Sequence, residues 1–214
     1  MVQGFGMKTP FHLILGSSSP RRKMLLEGIG LPFVTASLHG VNETNLPEGI
    51  APLDIPQHLA QMKSRAYTKP LEENELLITA DTLVFSASPH DTSSPWTIMG
   101  KPQNREEACQ MLQNLSGNCH KVVTGVFLRS SKIHGIACGF SDKTKVWFSR
   151  LTEEEIQYYV DHYKPYDKAG GYGVQEWIGY IGIERIEGSF YNVMGFPTQK
   201  FWACLKQLNA VSFP

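Results

Sequence analysis

The chain has 214 residues, 42% of them hydrophobic and 19% charged, and its 20 basic and 20 acidic side chains cancel to a formal net charge of +0. This balance fits one globular α/β domain over residues 1–214 with a real core, and it excludes a global field for nucleic acid or an anionic membrane surface, so any anion site is local. The early apolar run is too short for a signal-peptide core or a bilayer span, and the chain is expected in the cytoplasm.

In chain order, Phe11-His12-Leu13-Ile14-Leu15 predicts a strand that empties into Gly16-Ser17-Ser18-Ser19-Pro20-Arg21-Arg22. Ser19 suits an N-cap and Pro20 a first helical residue; Met24, Leu25 and Leu26 are the apolar positions, and Gly28 and Gly30 end the helix. Phe33 to Ser37 reads as a short strand, and the stretch to Pro52 as an ordered loop holding Glu43. A helix capped by Asp54 carries Ile55, Leu59, Met62 and Ala66 at helical spacing, with Lys63 and Arg65 off that line. Leu76 to Ala80 is a continuous apolar strand interrupted by Asp81 and resumed at Leu83-Val84-Phe85, and Ser86 to Pro95 predicts a surface hairpin loop.

Asn104 caps a helix through Leu115. Lys121–Leu128, Ile133–Phe140 and Lys143–Ser149 then read as three strands of an antiparallel meander. Thr152-Glu153-Glu154-Glu155 fits a capping box ahead of Ile156, Tyr159 and Val160. Glycines from Gly170 to Gly188 read as tight turns between short strands, before a last helix from about Pro197 to Leu208. Alternating elements argue for α/β with a mixed, partly antiparallel sheet. The four cysteines, Cys109, Cys119, Cys138 and Cys204, form no C-x-x-C pair and read as reduced and mostly buried.

Two readings of the serine loop are open: free N–H groups at a helix N-terminus with Arg21 and Arg22 cradle a polyphosphate, or Ser17 to Ser19 are only loop and cap residues beside solvated arginines. P-loop and dinucleotide spacings are absent. Asp81 is costly to bury without a cation, which makes it a candidate catalytic carboxylate; a turn or cap carboxylate is the plain alternative. Glu43, Lys63 and Lys101 read singly as surface residues, although Gly100-Lys101-Pro102 places Lys101 in a rigid turn. Tyr166-Asp167-Lys168-Ala169-Gly170-Gly171-Tyr172-Gly173-Val174-Gln175 is either a bend or a place of close backbone approach with polar groups beside it. Scattered histidines exclude a zinc motif, and there is no nucleophile elbow, leaving an oxygen-ligand site for a hard cation such as Mg²⁺.

Taken together and in order, Gly16 to Arg22, Gly40-Val41-Asn42-Glu43, Lys63, Ala80-Asp81-Thr82, Gly100-Lys101-Pro102, Leu115-Ser116-Gly117, Tyr166 to Gln175 and Asn192 to Pro197 closely resemble the Maf family of nucleoside triphosphate pyrophosphatases. The resemblance implies an inosine triphosphatase-like fold, with an elongated mixed sheet flanked by helices and two lobes around a cleft, and a homodimer. It implies hydrolysis between the α- and β-phosphates with Mg²⁺ or Mn²⁺. Asp81 would be proton acceptor and metal ligand, Glu43 a metal ligand, and Ser17, Ser19, Arg21, Arg22, Lys63, Thr82, Lys101 and Gln175 substrate contacts. Arg21, Thr82 and Gln175 match specificity positions, and the run ending at Gln175 resembles the dTTP/UTP branch. Asn42, where the family usually has Asp, and Glu176-Trp177 depart from the pattern. The alternative function is a nucleotide-binding regulator that inhibits septum formation through a protein partner.

Overall fold

In the computed structural model, which describes residues 7–38, 49–87, 96–131 and 133–213, the run Leu13-Ile14-Leu15 is the buried centre of strand β1 (His12–Gly16). Its apolar residues are consecutive rather than alternating, as in a strand covered on both faces. Both edges are paired in parallel, with β2 (Phe33–Ala36) and β3 (Glu75–Ala87). The remaining strands are β4 (Trp96–Met99), β5 (Cys119–Ser130), β6 (Ala137–Phe148) and β7 (Ile183–Glu187). They hydrogen-bond in the order β2-β1-β3-β5-β6-β7, with β4 on β3. The β3–β4 and β6–β7 pairs are antiparallel, so the sheet is mixed and partly antiparallel, as expected. Its helices are α1 (Pro20–Ile29), α2 (Ile55–Ala66), α3 (Arg105–Leu115), α4 (Glu153–Tyr163), α5 (Trp177–Gly182), α6 (Phe190–Val193) and α7 (Thr198–Gln207).

Two compact units divide the chain: Met1–Asp81, Thr124–Asp142 and Gly195–Pro214 form the first, Thr82–Val123 and Lys143–Met194 the second. In the first, α2 buries Ile55, Leu59 and Ala60, and it lies so close to β5 that a Cβ on Gly125 would sit 2.2 Å from the backbone nitrogen of Gln57. Only a residue without a side chain fits there. Gly125→Ala is therefore expected to cost about 1–3 kcal/mol, toward the upper end because the obstructing atoms are backbone. A denaturant midpoint unchanged from wild type would contradict this packing. The Thr79 hydroxyl of β3 donates to the Ala60 carbonyl at 2.7 Å, a second tie between helix and sheet. Arg129 at the end of β5 supplies a third. Its guanidinium donates to the Ser64 carbonyl at 2.8 Å, to the Tyr67 carbonyl at 3.3 Å and to the Ser64 hydroxyl at 3.1 Å, satisfying orphan carbonyls at the negative end of the α2 dipole.

The second unit keeps the expected caps: the Asn104 side chain accepts from the Glu107 N–H, and Thr152 and Glu155 form a full capping box. At its centre His120 is fully buried, stacked on Phe148, with Nε2 2.7 Å from the Tyr172 hydroxyl. Burial pulls the His120 pKa from 6.5 down to about 3. The imidazole is thus neutral when folded, whereas the unfolded chain takes up a proton below 6.5. Its contribution to stability is complete above that pH and is lost as pH falls toward the folded value, at about 1.4 kcal/mol per pH unit. His120→Gln is expected to flatten the decline of unfolding free energy between about pH 6.5 and pH 5; parallel profiles for variant and wild type would contradict it.

Four expectations need correction. The two strands expected between Ile133 and Ser149 are one, β6, because the polar Ser141-Asp142-Lys143 step stays in the ladder. The glycine-rich stretch is not a set of short strands: it makes a tight turn at Ala169–Gly171 with Gly170 and Gly171 at positive φ, then α5 before the single strand β7. Asp54 makes no side-chain cap on α2; it ends a short 3-10 turn, Pro52–Asp54, that leads into the helix. The cysteines are half-buried free thiols rather than mostly buried ones.

Candidate active site

The serine loop leaves the carboxyl end of β1, where Gly16 is in register with Thr79 of β3, two residues before Asp81. Ligands of open α/β sheets bind beyond the carboxyl ends of parallel strands. Ser19 caps α1, its hydroxyl accepting from the Arg22 N–H at 3.5 Å, and Gly30 closes the helix at φ 85°. Ser17 Oγ accepts from the Ser19 N–H and from Arg22 Nη1, both at 3.3 Å. Arg22 Nε also donates to the Gly195 carbonyl at 2.9 Å. The guanidinium is thereby held across the loop rather than trailing in solvent. No acidic residue stands in the first turn of α1, so nothing there offsets the positive end of its dipole. Arg21 is half-buried in the same turn.

Asp81 is 6% exposed, within the continuous strand β3 rather than at a turn. A carboxylate there needs a partner, and Lys63, in the last turn of α2, ion-pairs with Oδ1. Reading Lys63 as an ordinary surface residue is therefore wrong. The contacts of Gly125, Thr79 and Arg129 hold α2, the helix that presents it, at its first turn, its middle and its last turn. Among the described residues no three His, Cys, Asp or Glu side chains gather as a ready-made metal cage. Glu43 and the Asn42 departure lie outside the described residues.

Thr82, Lys101 and Gln175 belong to the second unit. Thr82 follows Asp81 along β3 and is half-buried. Lys101 is exposed, but its turn is tied down where the Gly170 N–H donates to the Gly100 carbonyl at 2.9 Å. Gly170 has φ 71°, and a Cβ on it would meet Val84 at 3.0 Å, so the glycine permits both the turn and the close approach. Gln175 Oε1 is buried without a hydrogen-bond partner, an acceptor left open beside a polar cluster. In that cluster Glu176 takes Lys168 Nζ at 3.1 Å on one oxygen and the Tyr159 hydroxyl on the other. Lys168 also pairs with Asp167 at 2.7 Å, and Tyr159 Oη accepts from the Gly173 N–H at 3.0 Å. Burial, reinforced by Glu176, pushes the Tyr159 pKa far up and keeps the phenol protonated. The departure at Glu176 is thus a built contact. Sequence reasoning missed Arg129 and the Gly195 carbonyl as supports of Lys63 and Arg22; only the family-like run Asn192 to Pro197 carried a signal for the second.

The profile of the family described as Maf-like protein matches residues 12–208. A relative from Parabacteroides distasonis named dTTP/UTP pyrophosphatase is 47% identical over 92% of this chain and 95% of its own length. One from Bacteroides thetaiotaomicron with the same name is 46% identical over 92% of this chain and 96% of its own. Among solved structures, a HAM1 protein from Coxiella burnetii aligns at TM-score 0.45 and 10% identity, covering 92% of this chain and 99% of that one, too slight a likeness to carry an argument.

Proposed function

Because this chain belongs to the Maf family, we propose that it hydrolyses nucleoside triphosphates, dTTP and UTP foremost, to the monophosphate and pyrophosphate. The observation that carries this reading is the buried Asp81–Lys63 pair, with Asp81 two residues past the point where β3 registers with the carboxyl end of β1, from which the Arg22-clamped serine loop leaves. The names of the relatives support the substrate class.

In this reading Asp81 accepts the proton of the water that attacks the α-phosphorus, and Lys63 holds that carboxylate until the phosphate chain arrives as a second anionic partner. Ser17, Ser19 and Arg22 receive phosphate oxygens at the positive end of α1. Lys101 neutralises phosphate charge, and Arg21, Thr82 and Gln175 select the base, the open Gln175 oxygen suiting the imide N–H of uracil or thymine. A divalent cation fits the donor chemistry: Asp81 is a hard, buried oxygen ligand, Glu43 is proposed as the second, and Mg²⁺ commonly completes its shell with phosphates and water. Mg²⁺ or Mn²⁺, when bound, neutralises charge developing on the phosphate oxygens. We further propose one catalytic domain, working as a cytoplasmic homodimer without nucleic acid or membrane as partner. Among the described residues no helix is long and apolar enough to cross a membrane.

Incubation with Mg²⁺ or Mn²⁺ and a panel of dTTP, UTP and CTP tests the reading. Equal yields of monophosphate and pyrophosphate are expected, with dTTP and UTP ahead of CTP. Orthophosphate release would make the protein a general phosphatase, and nucleotide binding without turnover would favour the septum-regulator function.

A further inference from the structure

Cys138 on β6 and Cys204 on α7 are 66 positions apart in the chain, yet their sulfurs lie 3.8 Å from each other. Both are free thiols with part of their surface open. A covalent S–S bond measures about 2.05 Å, so the two sulfurs have to approach by less than about 2 Å to be joined. The strand itself is held at this point, since a Cβ on the neighbouring Gly139 would meet Phe127 at 2.9 Å. A cavity of about 350 Å³ is lined by both cysteines together with Phe140, Lys200, Ala203 and Gln207. That volume suits a small ligand. The Lys200 ammonium, on a residue of its wall, bonds Asp142 at 2.8 Å and the Ser141 carbonyl at 3.0 Å.

We infer that Cys138 and Cys204 form a thiol–disulfide exchange site that takes a low-molecular-weight disulfide, such as glutathione disulfide, and closes a cross-link between β6 and α7. The two sulfurs share one S–H···S hydrogen bond of which either can be the donor. With Cys138 as the acceptor its pKa falls from 9.0 to about 7 and that of Cys204 rises, and in this arrangement Cys138 is the attacking sulfur. Cys109 and Cys119 are both pushed up by burial and react more slowly. The Cys138 thiolate forms a bond to one sulfur of the incoming disulfide, whose S–S bond breaks. The displaced thiolate takes up the proton that Cys138 lost. Cys204 then attacks Cys138 Sγ, the mixed disulfide breaks, and the second small thiolate leaves with the Cys204 proton. Two protein thiols are oxidised and one small disulfide is reduced to two thiols, with no other reactant required.

The test treats the fully reduced chain with glutathione disulfide and follows intact mass and non-reducing peptide maps. The expected product has lost two hydrogens, joins the Cys138 and Cys204 peptides, and reverts with dithiothreitol. Cys204→Ser is expected to stop at one glutathione held on Cys138, and Cys138→Ser to react at least about tenfold more slowly. Cys204→Ala and Cys138→Ala carry the same expectations if serine disturbs the fold, as thermal unfolding would reveal. Glutathione settling on Cys109 or Cys119, a mixed disulfide at Cys138 that persists with Cys204 present, or no change of mass would each overturn the inference.

Discussion

Asp81→Asn is expected to lower kcat for dTTP and UTP by about 10²–10⁴-fold, the range for removal of a general base. The substitution keeps the side chain's size and leaves an amide oxygen facing Lys63, but an amide does not take the proton from water. Because the phosphate contacts proposed for the serine loop are elsewhere, KM should change far less than kcat, the pattern of an interaction that matters in the transition state. Steady-state kinetics of purified variant and wild type read both numbers. Retained kcat would remove Asp81 from the chemistry, and a rise in KM alone would make it a binding residue.

The second large effect is on stability. Lys63→Met leaves the Asp81 carboxylate without its cation inside an apolar strand, where the pair is only 14% and 9% exposed at the two side chains. Removing one partner of a buried pair costs about 3–5 kcal/mol, much of it the burial of the charge left behind. Lys63→Met/Asp81→Asn should therefore recover part of the stability that the single Lys63→Met change loses. Urea unfolding of the three variants measures this directly; a double variant less stable than Lys63→Met would show that the pair does not act as a unit.

Local signals were legible wherever the physics was local. Ser19-Pro20, Asn104 and the Thr152–Glu155 box each announced a helix start, because capping depends on atoms within three residues. The placement of Asp81 within a strand was legible too, since apolar residues resume after it. Its partner was not. Lys63 meets Asp81 only because α2 presses onto Gly125, Thr79 and Arg129, contacts between elements that no periodicity encodes. The Gly195 carbonyl that holds Arg22 is 173 positions away, and a backbone acceptor leaves no side-chain mark in the sequence. At β6 the polar Ser141-Asp142-Lys143 step hid a continuous strand, because ladder hydrogen bonds are indifferent to side-chain polarity. The glycines after Gly170 misled in the other direction: positive φ at Gly170 and Gly171 makes one tight left-handed turn rather than strand reversals. The base selection proposed for Thr82 and Gln175 rests on the family resemblance.

The claim that water attacks the α-phosphorus is tested most directly by hydrolysis of dTTP in heavy-oxygen water with mass spectrometry of both products. The label is expected in thymidine monophosphate, with pyrophosphate unlabelled. Label in pyrophosphate would place the attack on the β-phosphorus and contradict the role assigned to Asp81.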